Sequence, residues 1–138
     1  MNTLLSAGMW LIAAVEITVG VVATLMLRWF YDNVPWVDLA PPFAEHLMRD
    51  YGAMNLALGL VTAVAAFTMD RVMVRTSLAA NLLFAVPHLI FHVTHHEHYT
   101  ASHVVGETTA LTIAVLLPLA LLALTWRVPS PRLLTDGM

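Results

Sequence analysis

Four long apolar runs alternate with short polar connections along the chain. They extend roughly from Leu4 to Trp29, from about Phe43 to Met69, from about Thr76 to His95 and from about Val104 to Trp126. Each holds on the order of 20 residues or more, about what a ~30 Å hydrocarbon core requires at ~1.5 Å of helix rise per residue. In hydrocarbon every backbone N–H and C=O needs a partner within its own segment, so isolated spans of this length must be helices. The connections are residues 31–42 (YDNVPWVDLAPP), 70–75 (DRVMVR) and 96–103 (HEHYTASH). Connections this short place consecutive helices antiparallel. The expected fold is all-α: a four-helix transmembrane bundle, up-down-up-down, forming a single integral membrane domain over residues 1–138. Pro42 and Glu45 suit the first turn of the second span, and Asp70 suits its close.

The few polar residues inside these runs carry the functional information. Glu16, Arg49, Asp50, Asn55, His88, His92 and Glu107 sit within or at the ends of segments otherwise built from Ala, Val, Leu, Ile, Phe and Met. A charge or imidazole in hydrocarbon costs several kcal/mol unless it is paired or hydrated, so each is a functional candidate. Counted from the expected span starts, Glu16, Asn55 and His88 each lie about 18 Å deep, near the bilayer middle. With Arg49, Asp50, His92 and Glu107 nearer one face, the set is expected to form one polar pocket open to that face. Pro87 removes a backbone bond at the level of His88, where a freed carbonyl would add polarity.

Composition narrows the classes. Of 138 residues, 59% are hydrophobic and 11% charged, with a mean hydropathy of +0.78. The connections are too short for a soluble catalytic domain, so any chemistry lies in the bundle or at its rim. Without cysteine there is no disulfide, thiol nucleophile or thiolate metal site. A net charge of −3 offers no basic patch for nucleic acid. The N-terminus lacks a positive leader region, and its apolar stretch is about twice a signal-peptide core, so it reads as a retained span. Arg71, Arg75, Arg127 and Arg132 share one side with the N-terminus, against Arg28 and Arg49 on the other. That asymmetry predicts a multi-pass membrane protein with cytoplasmic termini and extracytoplasmic first and third connections. Trp29, Tyr31, Trp36, Tyr99 and Trp126 fall near span ends, as an interfacial aromatic belt would.

The third span ends in a histidine run. His88, His92 and His95 follow i, i+4, i+7 spacing on one helix face, and His92 pairs with His96 in the same way. His103 and Glu107 repeat the i, i+4 relation on the fourth span. Imidazole and carboxylate donors suit a divalent metal, so His92, His95, His96, His103 and Glu107 form a candidate metal set. His98 belongs to the same run. Histidines on different helices, such as His46 with His95 or His103, could also ligate a haem. Each has a plain alternative. The interfacial histidines can be ordinary polar residues, Glu16 and the buried histidines can hydrogen-bond a neighbouring helix, and Arg49 and Asp50 can hold a helix end by ion pairing. The eight methionines are scattered, as packing residues are. Small residues four apart, Gly20/Thr24, Ala53/Ala57, Gly59/Ala63 and Ala110/Ala114, could let helices approach closely.

The segments FAEHLMRDYGAMNLALG and LLFAVPHLIFHVTHH resemble a group of small, uncharacterised four-span proteins of high-GC actinobacteria. The coarse pattern is similar to the broader DoxX-like class. His46, Arg49, Asp50, Gly52, Asn55, Gly59, Pro87, His88 and His92 carry the likeness over residues 43 to 96, and the rest follows by hydropathy. The resemblance implies a four-helix fold and a bacterial inner-membrane location, and it brings no reaction. Three functions stay open: a pocket for a metal, a haem, a quinone or a lipid head group; an accessory subunit pairing with a second copy or a larger membrane complex; and a minimal transporter or proton relay through Glu16, His88 and His92. No nucleophile–base pair stands out, so an enzyme is the least supported. The expected partners are the lipid bilayer and other membrane chains.

Overall fold

A computed structural model of the protein describes residues 3–39, 42–96 and 99–127, and among these all regular structure is helical. Helix α1 covers Thr3–Leu25, α2 Leu27–Asn33, α3 Glu45–Thr68, α4 Arg71–Thr94 and α5 Ala101–Arg127, with a 3₁₀ turn at Val37–Leu39. α1, α3, α4 and α5 are long and apolar enough to cross a membrane. They form a four-helix bundle. Glu97, His98 and Arg132, which entered the sequence reading, lie outside the described residues.

The helix boundaries have local causes. The first span, expected to run unbroken to Trp29, steps out of helical backbone at Met26 (φ −127°, ψ 47°) and restarts as α2. Pro35 then pushes Val34 into extended backbone, ending α2. Residues 70–75, expected as a turn, are mostly helical. Met69 takes left-handed backbone (φ 50°) and closes α3, and the Asp70 carboxylate accepts the Met73 N–H at 2.9 Å to cap α4. Arg71 to Arg75 are therefore the first residues of α4, which begins five residues before the expected span.

The packing is inverted relative to a water-soluble bundle. Buried positions on α1 run Leu5, Met9, Ile12, Glu16, Gly20, Ala23, and on α3 Met48, Gly52, Asn55, Gly59, Thr62, Ala66, each a stripe at helical spacing. Large apolar side chains such as Leu4, Leu60, Phe67 and Leu83 point outward. Small residues at the seam let α1 and α3 touch backbone to backbone. A Cβ on Gly20 would lie 2.7 Å from the Leu56 nitrogen, and one on Gly59 would lie 3.0 Å from the Ile17 nitrogen. Ala53, Ala57, Ala110 and Ala114 are exposed and make no such seam.

Two cores follow. At the end where α1 begins and α5 ends, Leu5, Met9, Ile12, Ala65, Val74, Leu78 and Leu121 join all four long helices, with Met69 and Met73 packed around them. At the opposite end, the cluster of Ala23, Phe30 and Met48 uses only α1, α2 and α3. The bundle is closed at the end bearing Arg71 and parted at the end bearing Trp36.

Candidate functional site

Between α1–α3 on one side and α4–α5 on the other lies a cavity of about 840 Å³ at the Trp36 end. Its walls are largely apolar and aromatic, including Trp29, Phe30, Tyr31, Trp36, Phe84 and Phe91. Trp29 and Phe91 are themselves about half exposed, so the cavity opens outward. Tyr51, His88, His92 and Glu107 supply its inner polar groups, with Asp50 at the rim.

The polar wall is built across α4 and α5. His92 Nδ1 lies 2.7 Å from Glu107 Oε1, and both side chains are largely buried. A carboxylate can only accept, so the imidazole proton belongs on Nδ1 and Nε2 is the nitrogen left for a ligand. The His88 ring packs 4.6 Å from His92, 5.1 Å from Phe84 and 6.1 Å from Tyr51, centroid to centroid. Glu107 Oε2 is buried without a hydrogen-bond partner, on the carboxylate whose other oxygen is engaged. Such a group is costly to leave unmade, about 1–3 kcal/mol or more when charged.

The loop after α2 folds over this wall. Trp36 adopts left-handed backbone (φ 71°), which turns its indole onto Gly106, directly before Glu107. A Cβ on Gly106 would meet the indole Cζ2 at 2.6 Å, so only glycine admits the ring there. Tyr99 ties loop to site: its hydroxyl lies 3.2 Å from Glu107 Oε1 and 3.4 Å from the Trp36 carbonyl. Burial, and next the Glu107 charge, push this phenol from its usual 10 up to about 12. It therefore stays an O–H donor at physiological pH. One hydroxyl hydrogen serves two acceptors, so the loop and the carboxylate compete for it.

The other expected pocket residues separate. Arg49 does not point into the bundle; it is exposed and pairs with Glu45 at 2.8 Å, one helical turn away. Asp50, also exposed, lies 3.3 Å from His46 while reaching the cavity rim. Asn55 is buried, but its amide donates to the Tyr51 carbonyl at 2.8 Å. Glu16 is buried beside Thr62, away from the cavity lining. The single polar column of the sequence reading divides: His88, six residues from the helix end at Thr94, about 9 Å, lines the cavity, while Glu16 faces Thr62.

The histidine run does not gather. His95 Nδ1 sits 2.9 Å from both the Phe91 carbonyl and the Thr94 hydroxyl, and its ring stacks on Phe91 at 4.3 Å. His96 packs on the Tyr99 ring at 5.6 Å. His103 is half-buried near the start of α5. Among the described residues, no three His, Asp or Glu side chains are grouped so as to hold a metal ion. The His46 side chain, one of the candidate haem ligands, is 89% exposed.

Some of the site escaped the sequence reading. Tyr31, Trp36 and Tyr99 read as interfacial anchors, yet all three turn inward. The polar layer of Thr62, Ser77 and Asn81 also went unread. Its signal was spacing: Thr62 follows Asn55 by seven residues, and Asn81 precedes His88 by seven, each pair on one helix face. No protein-family model, curated protein or solved structure matches the chain.

Proposed function

We propose that this chain is a membrane-embedded binding protein whose outer cavity holds a lipophilic small molecule, a quinone or a lipid, by its polar head. The observation that carries the reading is an otherwise apolar, aromatic cavity whose few inner hydrogen-bonding groups gather about the His92–Glu107 pair. Ligand pockets have this composition: apolar area for affinity and a few placed polar groups for orientation. With Nδ1 facing Glu107, His92 Nε2 is left to accept from a head-group hydroxyl. The aromatic rings suit a flat head group or an unsaturated chain. Metal and haem lose support because, among the described residues, His92 and Glu107 meet without a third His, Asp or Glu grouped with them.

The reading includes an orientation: the cavity faces outward from a bacterial inner membrane, and the termini are cytoplasmic. Its support is the Arg excess at the closed end. Single cysteines at positions 33, 72 and 102 of this Cys-free chain test it with an impermeant thiol reagent on intact cells. Labelling at 33 and 102 but not 72 is expected, and the reverse pattern overturns the orientation.

Binding is tested in lipid nanodiscs with a naphthoquinone carrying one isoprene unit, followed by quenching of Trp29 and Trp36 fluorescence. Lipids co-purified with the protein, identified by mass spectrometry, test the other head group. His92→Ala and Glu107→Gln should each weaken binding by roughly tenfold, the loss of about one good hydrogen bond. Equal affinity in both variants, for the quinone and for any co-purified lipid, sinks the proposal.

A further inference from the structure

Glu16 stands apart from the cavity, and its surroundings give it a different task. It lies on α1, 13 residues from Thr3 and nine from Leu25, and is 8% exposed. Across from it, α3 presents Gly59, whose added Cβ would lie 3.2 Å from the Glu16 Cβ, and Thr62, which hydrogen-bonds the carboxyl. The Asn81 amide of α4 donates to the Thr62 hydroxyl oxygen at 3.0 Å and to the Ser77 carbonyl at 3.0 Å. With its oxygen accepting from Asn81, the Thr62 hydroxyl turns its own hydrogen toward Glu16. The arrangement has a direction: amide to hydroxyl, hydroxyl to carboxyl.

That chain serves one carboxyl oxygen. Glu16 Oε2 is buried with no hydrogen-bond partner. No counter-ion is at hand, because Glu16 is the sole ionisable residue of α1. The packed helices carry none at its level. On α3 there is no ionisable group after Tyr51, on α4 none between Arg75 and His88, and on α5 none between Glu107 and Arg127. A carboxyl kept only to tie two helices together would have an acceptor for its hydrogen or a cation for its charge. This one has a donor on one oxygen and nothing on the other, inside the buried core of the bundle.

We propose that Glu16, with Thr62, Asn81 and Ser77, forms a proton-binding site at mid-depth of the bundle, separate from the outer cavity. Oε2 is the atom that takes and releases the proton. The Thr62 hydroxyl steadies the carboxylate when the proton has left, and Asn81 and Ser77 hold that hydroxyl in place. The site is small: Gly59 closes on the Glu16 Cβ and Thr62 stands beside the carboxyl.

The test uses N,N′-dicyclohexylcarbodiimide on the full chain in detergent or nanodiscs. This apolar reagent takes the proton of a carboxylic acid on its nitrogen while the carboxylate oxygen adds to its central carbon. The acyl group then shifts to nitrogen, leaving a stable N-acylurea with no leaving group. The peptide containing Glu16 should gain the mass of one reagent molecule. Labelling should fall as pH rises, because the reagent needs the carboxyl proton. Glu16→Gln should abolish it. Thr62→Val, close in shape, should keep the fold by circular dichroism yet move the pH of half-labelling by roughly half a unit or more. Glu107→Gln should leave Glu16 labelling unchanged, so the result stands apart from the outer cavity. Absence of labelling at Glu16, a pH-independent rate, or an unmoved midpoint in Thr62→Val overturns the proposal. Protection by sodium ions also overturns it, since the occupant would then be a metal cation.

Discussion

The two ends of this bundle solve the same problem differently. At the Arg71 end four helices close on Leu5, Met9, Ala65, Val74, Leu78 and Leu121, and charge is spent on the helix termini. Arg71 Nη2 donates to the Thr125 carbonyl at 2.9 Å, and Arg75 Nε donates to the Thr125 hydroxyl at 3.0 Å while its guanidinium lies 5.0 Å from the Trp126 ring. Two cations thus answer the unpaired carbonyls and negative dipole end of α5. At the Trp36 end the helices stand apart. The space between them is lined by aromatics, and its polar groups face one another across α4 and α5. One end is packed shut, and the other holds an open cavity. The polar layer of Glu16, Thr62 and Asn81 lies between them, joined to neither.

The comparison breaks most readily at the seam that supports both ends. Gly20→Val would drive side-chain atoms into the Leu56 nitrogen and the Gly52 carbonyl, which cannot rotate away. Over-packing of this kind should cost roughly 3 kcal/mol, read as an earlier transition in SDS unfolding. Gly106→Ala, whose neighbour is the Trp36 side chain, should leave that transition nearly in place and change Trp36 fluorescence instead. If the two glycines respond alike, the contrast between a rigid seam and a yielding loop is wrong.

His92→Ala sharpens the outer end. It strips Glu107 Oε1 of its 2.7 Å partner and leaves Tyr99 as its neighbour. A loss of about 2 kcal/mol is expected from an under-satisfied buried carboxylate. Glu107→Ala in the same background should recover part of it, because the stranded charge is then gone. Failure to recover would show that the pair is not coupled.

Tyr99 gives the outer end a pH signature. Its phenol is raised from 10 to about 12, so between those values the folded state holds a proton that the unfolded chain has released. Stability is therefore fully present below about pH 10 and falls as pH rises through about 12. Trp36 emission should shift over that alkaline window. Tyr99→Phe should remove the shift, and its persistence would assign the change to another group.

The smallest effect is expected at Arg49. Its pair with Glu45 is exposed and spaced i, i+4, so Arg49→Ala should cost no more than ~0.5 kcal/mol and leave quinone binding unchanged. A large loss of binding would put Arg49 back in the cavity. At the same end, the Arg28 guanidinium is held above its ordinary range by its hydrogen bond to Asp32, another pairing at the surface.

Much of the architecture was legible from residue order. Runs of this length and hydropathy can be satisfied only by helices, and connections this short make them antiparallel. The intramembrane polar residues marked where buried polar groups gather, and His92 and Glu107 were already in the candidate set. The eight-residue connection made a meeting of these span ends expected, but which of His92, His95 or His96 would reach His103 or Glu107 could not be read. That depends on how α4 and α5 rotate against each other, which no local period encodes. The boundary of α4 was misplaced for a related reason. Arg71 and Arg75 look like turn residues by charge alone, and become helical because Asp70 caps the helix and Thr125 accepts their guanidinium donors. Trp36 and Tyr99 show the same limit from the other side. Amphipathic aromatics near a span end suit the membrane interface equally well whether they face lipid or protein. Only the glycine at 106 and the left-handed turn at Trp36 bring the indole inward. The sequence by itself determined that four helices form and which residues are too polar for lipid. Tertiary packing decided that these residues split into an outer cavity wall and an isolated central carboxyl, because depth and facing depend on where each helix starts and which neighbour lies close.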